Sequence, residues 1–121
     1  MVQKITILGA GAIGCALAAA WSGRGAHVQL YARPARAEAL AAGVTLAVEG
    51  RTEFVNARTL GLTSDRAALT DTDLIIVTTK ATAIPSVAET LAGTTAPVLS
   101  LLNGPRAATA LAEPLGRAVI P

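Results

Sequence analysis

Apolar residues in this chain fall into short runs bounded by glycine, proline or polar residues, and the runs alternate with alanine-rich stretches of helical character. Ile5-Thr6-Ile7-Leu8 is the first run, His27 to Tyr31 the second, Leu74 to Val77 the third and Val98 to Leu102 the fourth; Ala118 to Ile120 reads as the start of another. Leu74 to Val77 is apolar throughout and the other runs largely so, which predicts buried strands of a parallel sheet. Between them, Ala12 to Ser22 has no proline and carries Ile13, Leu17 and Trp21 at helical spacing. Pro34 at a first helical position and Gly43 just past the end frame a short helix over Ala35 to Ala42. Thr82 to Leu91 reads as a helix with Pro85 in its first turn, where a missing N–H is tolerated, and Arg106 to Leu111 as the next. Strands alternating with helices predict an α/β domain with a doubly wound, mostly parallel sheet in three αβα layers.

Two stretches depart from this rhythm. Val44, Leu46 and Val48 alternate with Thr45, Ala47 and Glu49, and Gly50 then precedes a second extended stretch through Phe54 and Val55. Residues Val44 to Asn56 are therefore expected to form a β-hairpin or extended arm in place of a helix. Asp65 is placed to cap a short turn over Arg66 to Leu69.

The first strand runs directly into Gly9-Ala10-Gly11-Ala12-Ile13-Gly14 and then into the first helix. A glycine string alone is weak, but strand, string and helix in this order form the dinucleotide-binding turn of a Rossmann-type domain. Gly9 allows the tight turn, Gly11 lets the backbone approach a pyrophosphate, and Gly14 lets helix and strand pack closely. The phosphates would rest on the helix N-terminus, where free N–H groups and the dipole favour negative charge. Candidate cofactor contacts are thus Gly9, Ala10, Gly11, Ala12, Ile13 and Gly14. The competing reading is glycines needed only for a tight turn and close packing.

In the NAD-type version of such a fold a carboxylate about twenty positions on holds the ribose 2′-hydroxyl. This chain has Arg33 at the end of the second strand, with Arg36 one helical turn further. A guanidinium pairs with a 2′-phosphate where a carboxylate would repel it, so the expected cofactor is NADP. Lys80 follows the third strand after two threonines, and Asn103-Gly104-Pro105 follows the fourth, both at strand ends where open α/β sheets bind ligands. A lysine there can hold a ribose hydroxyl or a substrate carboxylate, and Asn103 can bond both a nicotinamide ribose and a polar substrate. As bland alternatives, the arginines and Lys80 are solvated charges and Asn103 a turn residue. His27 lies at the opposite end of its strand, away from the ligand crevice, and is not expected to act in catalysis.

Composition narrows the remaining choices. The 121 residues are 52% hydrophobic but 2% aromatic, which suits one domain with a core of Ala, Val, Leu and Ile. A net charge of +2 with scattered arginines gives no nucleic-acid signature, and no apolar run is long enough to span a bilayer. The single cysteine, Cys15, rules out an intramolecular disulfide and a cysteine-based metal cluster, so no metal is expected. On the first turn of the helix it is either an activated thiol or, as favoured here, a small buried side chain. Lys4 and the following apolar stretch resemble a secretory leader, but a nucleotide fingerprint would be out of place inside one; the working location is cytoplasmic.

The glycine string, Tyr31-Ala32-Arg33, Gly43-Val44-Thr45-Leu46, Val77-Thr78-Thr79-Lys80 and Leu102-Asn103-Gly104 together resemble the N-terminal domain of the ketopantoate reductase (2-dehydropantoate 2-reductase) family, over essentially the whole chain. That resemblance implies a parent enzyme that transfers hydride from NADPH to the keto carbon of 2-dehydropantoate, giving pantoate on the route to pantothenate and coenzyme A. It further implies that Arg33 meets the 2′-phosphate and that Lys80 and Asn103 contact cofactor and substrate. The family's proton-donating lysine and most substrate contacts lie in a C-terminal helical domain that these residues do not include, so no catalytic residue is expected here. The 121 residues alone are expected to bind NADP(H) weakly and to reduce ketopantoate negligibly. Two alternatives stand beside this reading: a non-catalytic nucleotide-sensing module, and another two-domain NAD(P)-dependent dehydrogenase of the 6-phosphogluconate or glycerol-3-phosphate type.

Overall fold

A computed structural model of the chain describes residues 3–22, 24, 27–101 and 105–121. Its strands are β1 (Lys4–Leu8), β2 (His27–Tyr31), β3 (Val44–Val48), β4 (Arg51–Val55), β5 (Leu62–Thr63), β6 (Leu74–Val77) and β7 (Val98–Ser100). The helices are α1 (Ala12–Trp21), α2 (Pro34–Ala39), α3 (Ala57–Leu60), α4 (Ala67–Thr70), α5 (Ile84–Leu91) and α6 (Pro105–Leu115). Five strands form one parallel sheet in the order β5-β2-β1-β6-β7, the doubly wound Rossmann-type arrangement, with β1 between β2 and β6. The strands β3 and β4 pair antiparallel as a separate hairpin, with Val44 opposite Val55 and Val48 opposite Arg51. Ile120 bridges in parallel to Leu99, which is the strand start expected near the end of the sequence.

Successive residues of the central strands feed opposite layers, as the period of a strand requires. Ile7 and Leu30 join Cys15 and Ala18 of α1 and Leu60 of α3 in one cluster. Leu8 and Tyr31 join Val87 and Leu91 of α5 and Leu111 of α6 in the other. The sheet is thereby covered on both sides by aliphatic side chains, and its apolar runs are explained. Thr6 and Ser100 are the buried polar residues among those described, and the Thr6 hydroxyl donates to the Ala68 carbonyl at 2.9 Å, which satisfies it.

Several element boundaries differ from those the sequence suggests. The helix expected over Ala35 to Ala42 is α2, Pro34–Ala39, because the chain turns at Leu40 and the Gly43 N–H donates back to the Leu40 carbonyl at 2.8 Å. The helix expected from Thr82 starts as a 3-10 turn over Ala81–Ala83 and becomes α-helical at Ile84, since Pro85 supplies no N–H for an earlier turn. The strand expected over Val98 to Leu102 ends at Ser100, and α6 continues one turn past Leu111, with Pro114 in its last turn and Leu115 packed on the core. Unanticipated from sequence are α3 and β5. A single helical turn and a two-residue strand are too short to show a period; the one local signal is Asn56, whose side chain accepts from the Thr59 N–H at 2.8 Å.

Helix α1 also buries a different face from the one its large apolar residues mark. Gly14, Cys15 and Ala18 meet the sheet, Leu17 and Trp21 are partly buried at the cluster margin, and Ile13 is 57% exposed. The helix approaches the sheet too closely for large side chains, so the small residues make the contact.

At the opposite end of the sheet, Asp73 ties β1 to β6. Its Oδ2 accepts from the Gln3 and Lys4 N–H groups, each at 2.9 Å. These two backbone donors, Gln3 first, hold its carboxyl below the usual carboxylate range. A carboxylate with a lowered folded-state pKa stabilises the fold above its ordinary value and loses that contribution as pH falls through the lowered one. Asp73→Asn is therefore expected to melt at a lower temperature than wild type at pH 7, with the gap closing as pH drops below 3.8. Thermal melts across that range check it; a gap independent of pH would show that the carboxylate charge contributes nothing.

Candidate functional site

The carboxyl ends of β1, β2 and β6 meet at the glycine turn. Leu8 leads into Gly9, which adopts φ +123, and the Gly9 N–H donates to the Tyr31 carbonyl at 3.3 Å. The Thr78 N–H donates to the Leu8 carbonyl at 2.9 Å, and the Thr78 hydroxyl to the Gly9 carbonyl at 2.9 Å. A Cβ on Gly14 would collide with the Gly9 carbonyl, so the close helix-to-strand contact depends on that glycine. Gly11 behaves differently: a Cβ there would meet no protein atom within 4 Å, and its φ of −86 suits any residue. Protein packing accounts for Gly9 and Gly14 but not for Gly11, which faces open space.

Gly11 is also the N-cap of α1, and no side chain caps the helix. The first-turn N–H groups therefore lack side-chain acceptors, and no acidic residue lies in that turn. Gly11, Ala12 and Ile13 are exposed there, whereas Gly14 is buried. An anion placed at this end would find free donors and the positive end of the helix dipole.

Beside the turn lies a cleft of about 250 Å³, walled by Gly9 and Ala10 on one side, by Tyr31 to Arg33 at the end of β2, and by Ser86, Val87 and Thr90 of α5. Among the described residues two arginines belong to its lining, Arg33 and Arg36, and no carboxylate does. Arg36 reaches back across the turn: its Nε and Nη2 donate to the Ala10 carbonyl at 3.2 and 3.0 Å. The Thr79 hydroxyl oxygen is buried in the same wall and has no protein partner among the described residues.

Of the remaining candidates, Lys80 is exposed just beyond β6 and is not part of the cleft wall; its carbonyl accepts from the Ala83 N–H at 2.9 Å in the 3-10 turn. Asn103 lies outside the described residues. Cys15 is buried, with its thiol 3.7 Å from the Ala10 carbonyl. Burial pushes this thiol up in pKa, and the Arg36 charge only partly offsets that, so it is a packing residue rather than an activated nucleophile. His27 is exposed at the far end of β2, away from the cleft. Thr78 and Thr79 stand in the Val77-Thr78-Thr79-Lys80 motif, but the sequence alone assigns them no role. Their signal was available: two hydroxyls directly after a fully apolar strand.

A parallel sheet in this order, with a glycine turn opening its first helix, defines the Rossmann class of α/β domain. Within that class the sequence model of the ketopantoate reductase PanE/ApbA family matches residues 5–121, and the chain belongs to that family. It is similar to the PanE/ApbA family ketopantoate reductase of Ralstonia eutropha JMP134, with 33% identity and a TM-score of 0.74 over 97% of this chain and 40% of that one. The 2-dehydropantoate 2-reductase of Porphyromonas gingivalis W83 gives 24% identity and a TM-score of 0.66, over 93% of this chain and 42% of that one. The lactate dehydrogenase of Cryptosporidium parvum gives 17% and 0.64, over 97% and 43%. These last two likenesses show the fold alone. No curated protein sequence matches the chain significantly. The chain thus spans 40% of the length of the Ralstonia eutropha reductase. Among the described residues no helix is long and apolar enough to cross a membrane, and no cluster of His, Cys, Asp and Glu could hold a metal ion.

The contrast between the glycines gives a direct test. Gly14→Ala is expected to lower stability by about 3 kcal/mol or more, since the obstructing atom is backbone and cannot swing aside. Gly11→Ala is expected to cost under about 1 kcal/mol, the scale of an N-cap change, yet to weaken dinucleotide binding at least about tenfold. Denaturant melts and calorimetric titration measure the two effects; undiminished affinity in Gly11→Ala would show that the open space at Gly11 is not used by a ligand.

Proposed function

We propose that this chain is the NADP-binding part of an NADPH-dependent oxidoreductase acting on a 2-keto acid, with 2-dehydropantoate, reduced to pantoate, as the substrate. The observation that carries the cofactor assignment is the pair of guanidinium groups on the cleft beyond β2, with no carboxylate in its wall. An adenosine ribose lying there would present its 2′ position to Arg33. A 2′-phosphate would gain a charge-assisted, bidentate partner, whereas a 2′-hydroxyl would gain little. Family membership supports the substrate class.

The residues present fit such a cofactor. The uncapped start of α1 would take the pyrophosphate, with Gly11 leaving room for it. When bound, NADPH supplies the hydride. This chain's own residues then bind and orient: Gly9 to Gly14 fix the phosphates, Arg33 selects the 2′-phosphate, and Lys80 and Asn103 hold ribose hydroxyls and the polar groups of the substrate. Reduction of a ketone also requires a proton at the forming alkoxide, from a group within hydrogen-bond reach. That role falls to a lysine of the helical domain that family members carry after this one.

Calorimetric titration with NADPH and NADH tests the reading. NADPH is expected to bind more tightly, and Arg33→Ala to reduce that preference at least about tenfold, the value of one charge-assisted bidentate contact. Equal affinity for the two cofactors, or a preference unchanged in Arg33→Ala, would refute it.

A further inference from the structure

Arg33 is exposed and its guanidinium has no partner among the described residues, but Arg36 is held. Two of its five N–H donors are committed to one acceptor, the Ala10 carbonyl, through Nε at 3.2 Å and Nη2 at 3.0 Å. That carbonyl belongs to the glycine turn itself, and its oxygen also lies 3.7 Å from the Cys15 thiol. The side chain therefore bridges two parts of the molecule that the sequence keeps apart: the first turn of α2, after β2, and the loop that opens α1.

Three observations indicate that this bridge does more than brace the loop. The guanidinium lines the same cleft as Arg33. It makes no ion pair among the described residues, where the single salt bridge is Lys4 to Asp71 at the far end of the sheet. The Ala10 carbonyl satisfies two of its donors but does not neutralise its charge, so a cationic fork with donors to spare faces a cleft lined largely by apolar groups. Arg36 is exposed, so its spare donors are open to an anion that enters the cleft.

We infer that Arg36 is a specificity-determining and positioning residue: pinned on the Ala10 carbonyl, its guanidinium is preset beside Arg33 to receive the cofactor's 2′-phosphate and couples that contact to the shape of the pyrophosphate turn. Exposed but tethered by two hydrogen bonds, the side chain has less rotamer entropy to lose on binding than an untethered arginine. The coupling runs through one oxygen. Whatever draws Arg36 towards a 2′-phosphate also acts on the carbonyl of the residue preceding Gly11, and hence on the N–H groups that follow. A lysine could not reproduce this, because a single ammonium lacks the planar fork that engages a carbonyl along one edge and a phosphate along another.

The inference rests on the NADPH reading, and the test separates the two. Wild type, Arg36→Gln and Arg36→Lys are titrated with NADPH and with NADH, and each variant's melting temperature is recorded. Wild type binding both cofactors equally would defeat the NADPH reading, and this inference with it. Given a wild-type preference, Arg36→Gln is expected to lose about thirtyfold or more in NADPH affinity but about fivefold or less for NADH, the difference marking the 2′-phosphate contact. Arg36→Lys is expected to recover less than half of the lost preference. An equal loss for both cofactors would make Arg36 a structural brace only. Unchanged NADPH affinity would make it a surface charge, and full rescue by lysine would show that charge suffices without positioning; each of these results overturns the inference. Should Arg36→Gln fail to fold, Arg36→Lys carries the same test through its reduced preference.

Discussion

The whole arrangement hangs on the contact between Gly14 and the carbonyl of Gly9. Helix α1 lies so close to the end of β1 that the space a Cβ would need is already taken by backbone oxygen. This closeness has consequences in both directions along the helix. Downstream, Cys15 and Ala18 become the residues that seal one face of the sheet, because only small side chains fit the gap. Upstream, the turn is drawn tight enough that Thr78, just past the end of β6, donates to the Gly9 carbonyl and Arg36, from α2, donates to the Ala10 carbonyl. Two successive carbonyls are thus occupied by protein donors, while the N–H groups that follow at the start of α1 have no side-chain acceptor. The polarity of the turn is sorted, acceptors tied down and donors open, and that sorting makes it a place for anions.

The parts of this architecture that could be read in the sequence are those where one residue type has one physical reason to be present. The glycine string after an apolar strand is such a case, and so are the apolar runs of β1, β2 and β6, which have no other stable home than a sheet covered on both sides. The hairpin over Val44 to Val55 was legible because alternation and an intervening Gly50 leave little else for those residues to do. By contrast, α3 and β5 exist because tertiary contacts select them: Leu60 fills the cluster under α1, and Leu62 and Thr63 complete the edge of the sheet beside β2. No local period announces elements of that length.

Within the site, the limit of legibility is the difference between where a residue lies in the chain and which way its side chain turns. The positions of Arg33 and Arg36 after β2 follow from the strand, but the reach of Arg36 across to Ala10 depends on how α2 settles against the turn. Ile13 shows the same limit from the other side. Its spacing with Leu17 and Trp21 suggests an apolar seam, yet the seam that forms is made of Gly14, Cys15 and Ala18, and Ile13 is left beside the open end of the helix. Spacing reports that a helix is amphipathic; the distance of closest approach decides which face is used.

Trp21 closes the helix that the glycine turn opens, partly buried against the cluster beneath α1, and it is the chain's single tryptophan. The molecule therefore carries one indole, fixed to the far end of the element whose near end forms the glycine turn. Its emission reports on the seating of that one helix with no second indole to confuse the signal, so the aromatic poverty of the core leaves the domain with a built-in optical gauge of its most consequential contact.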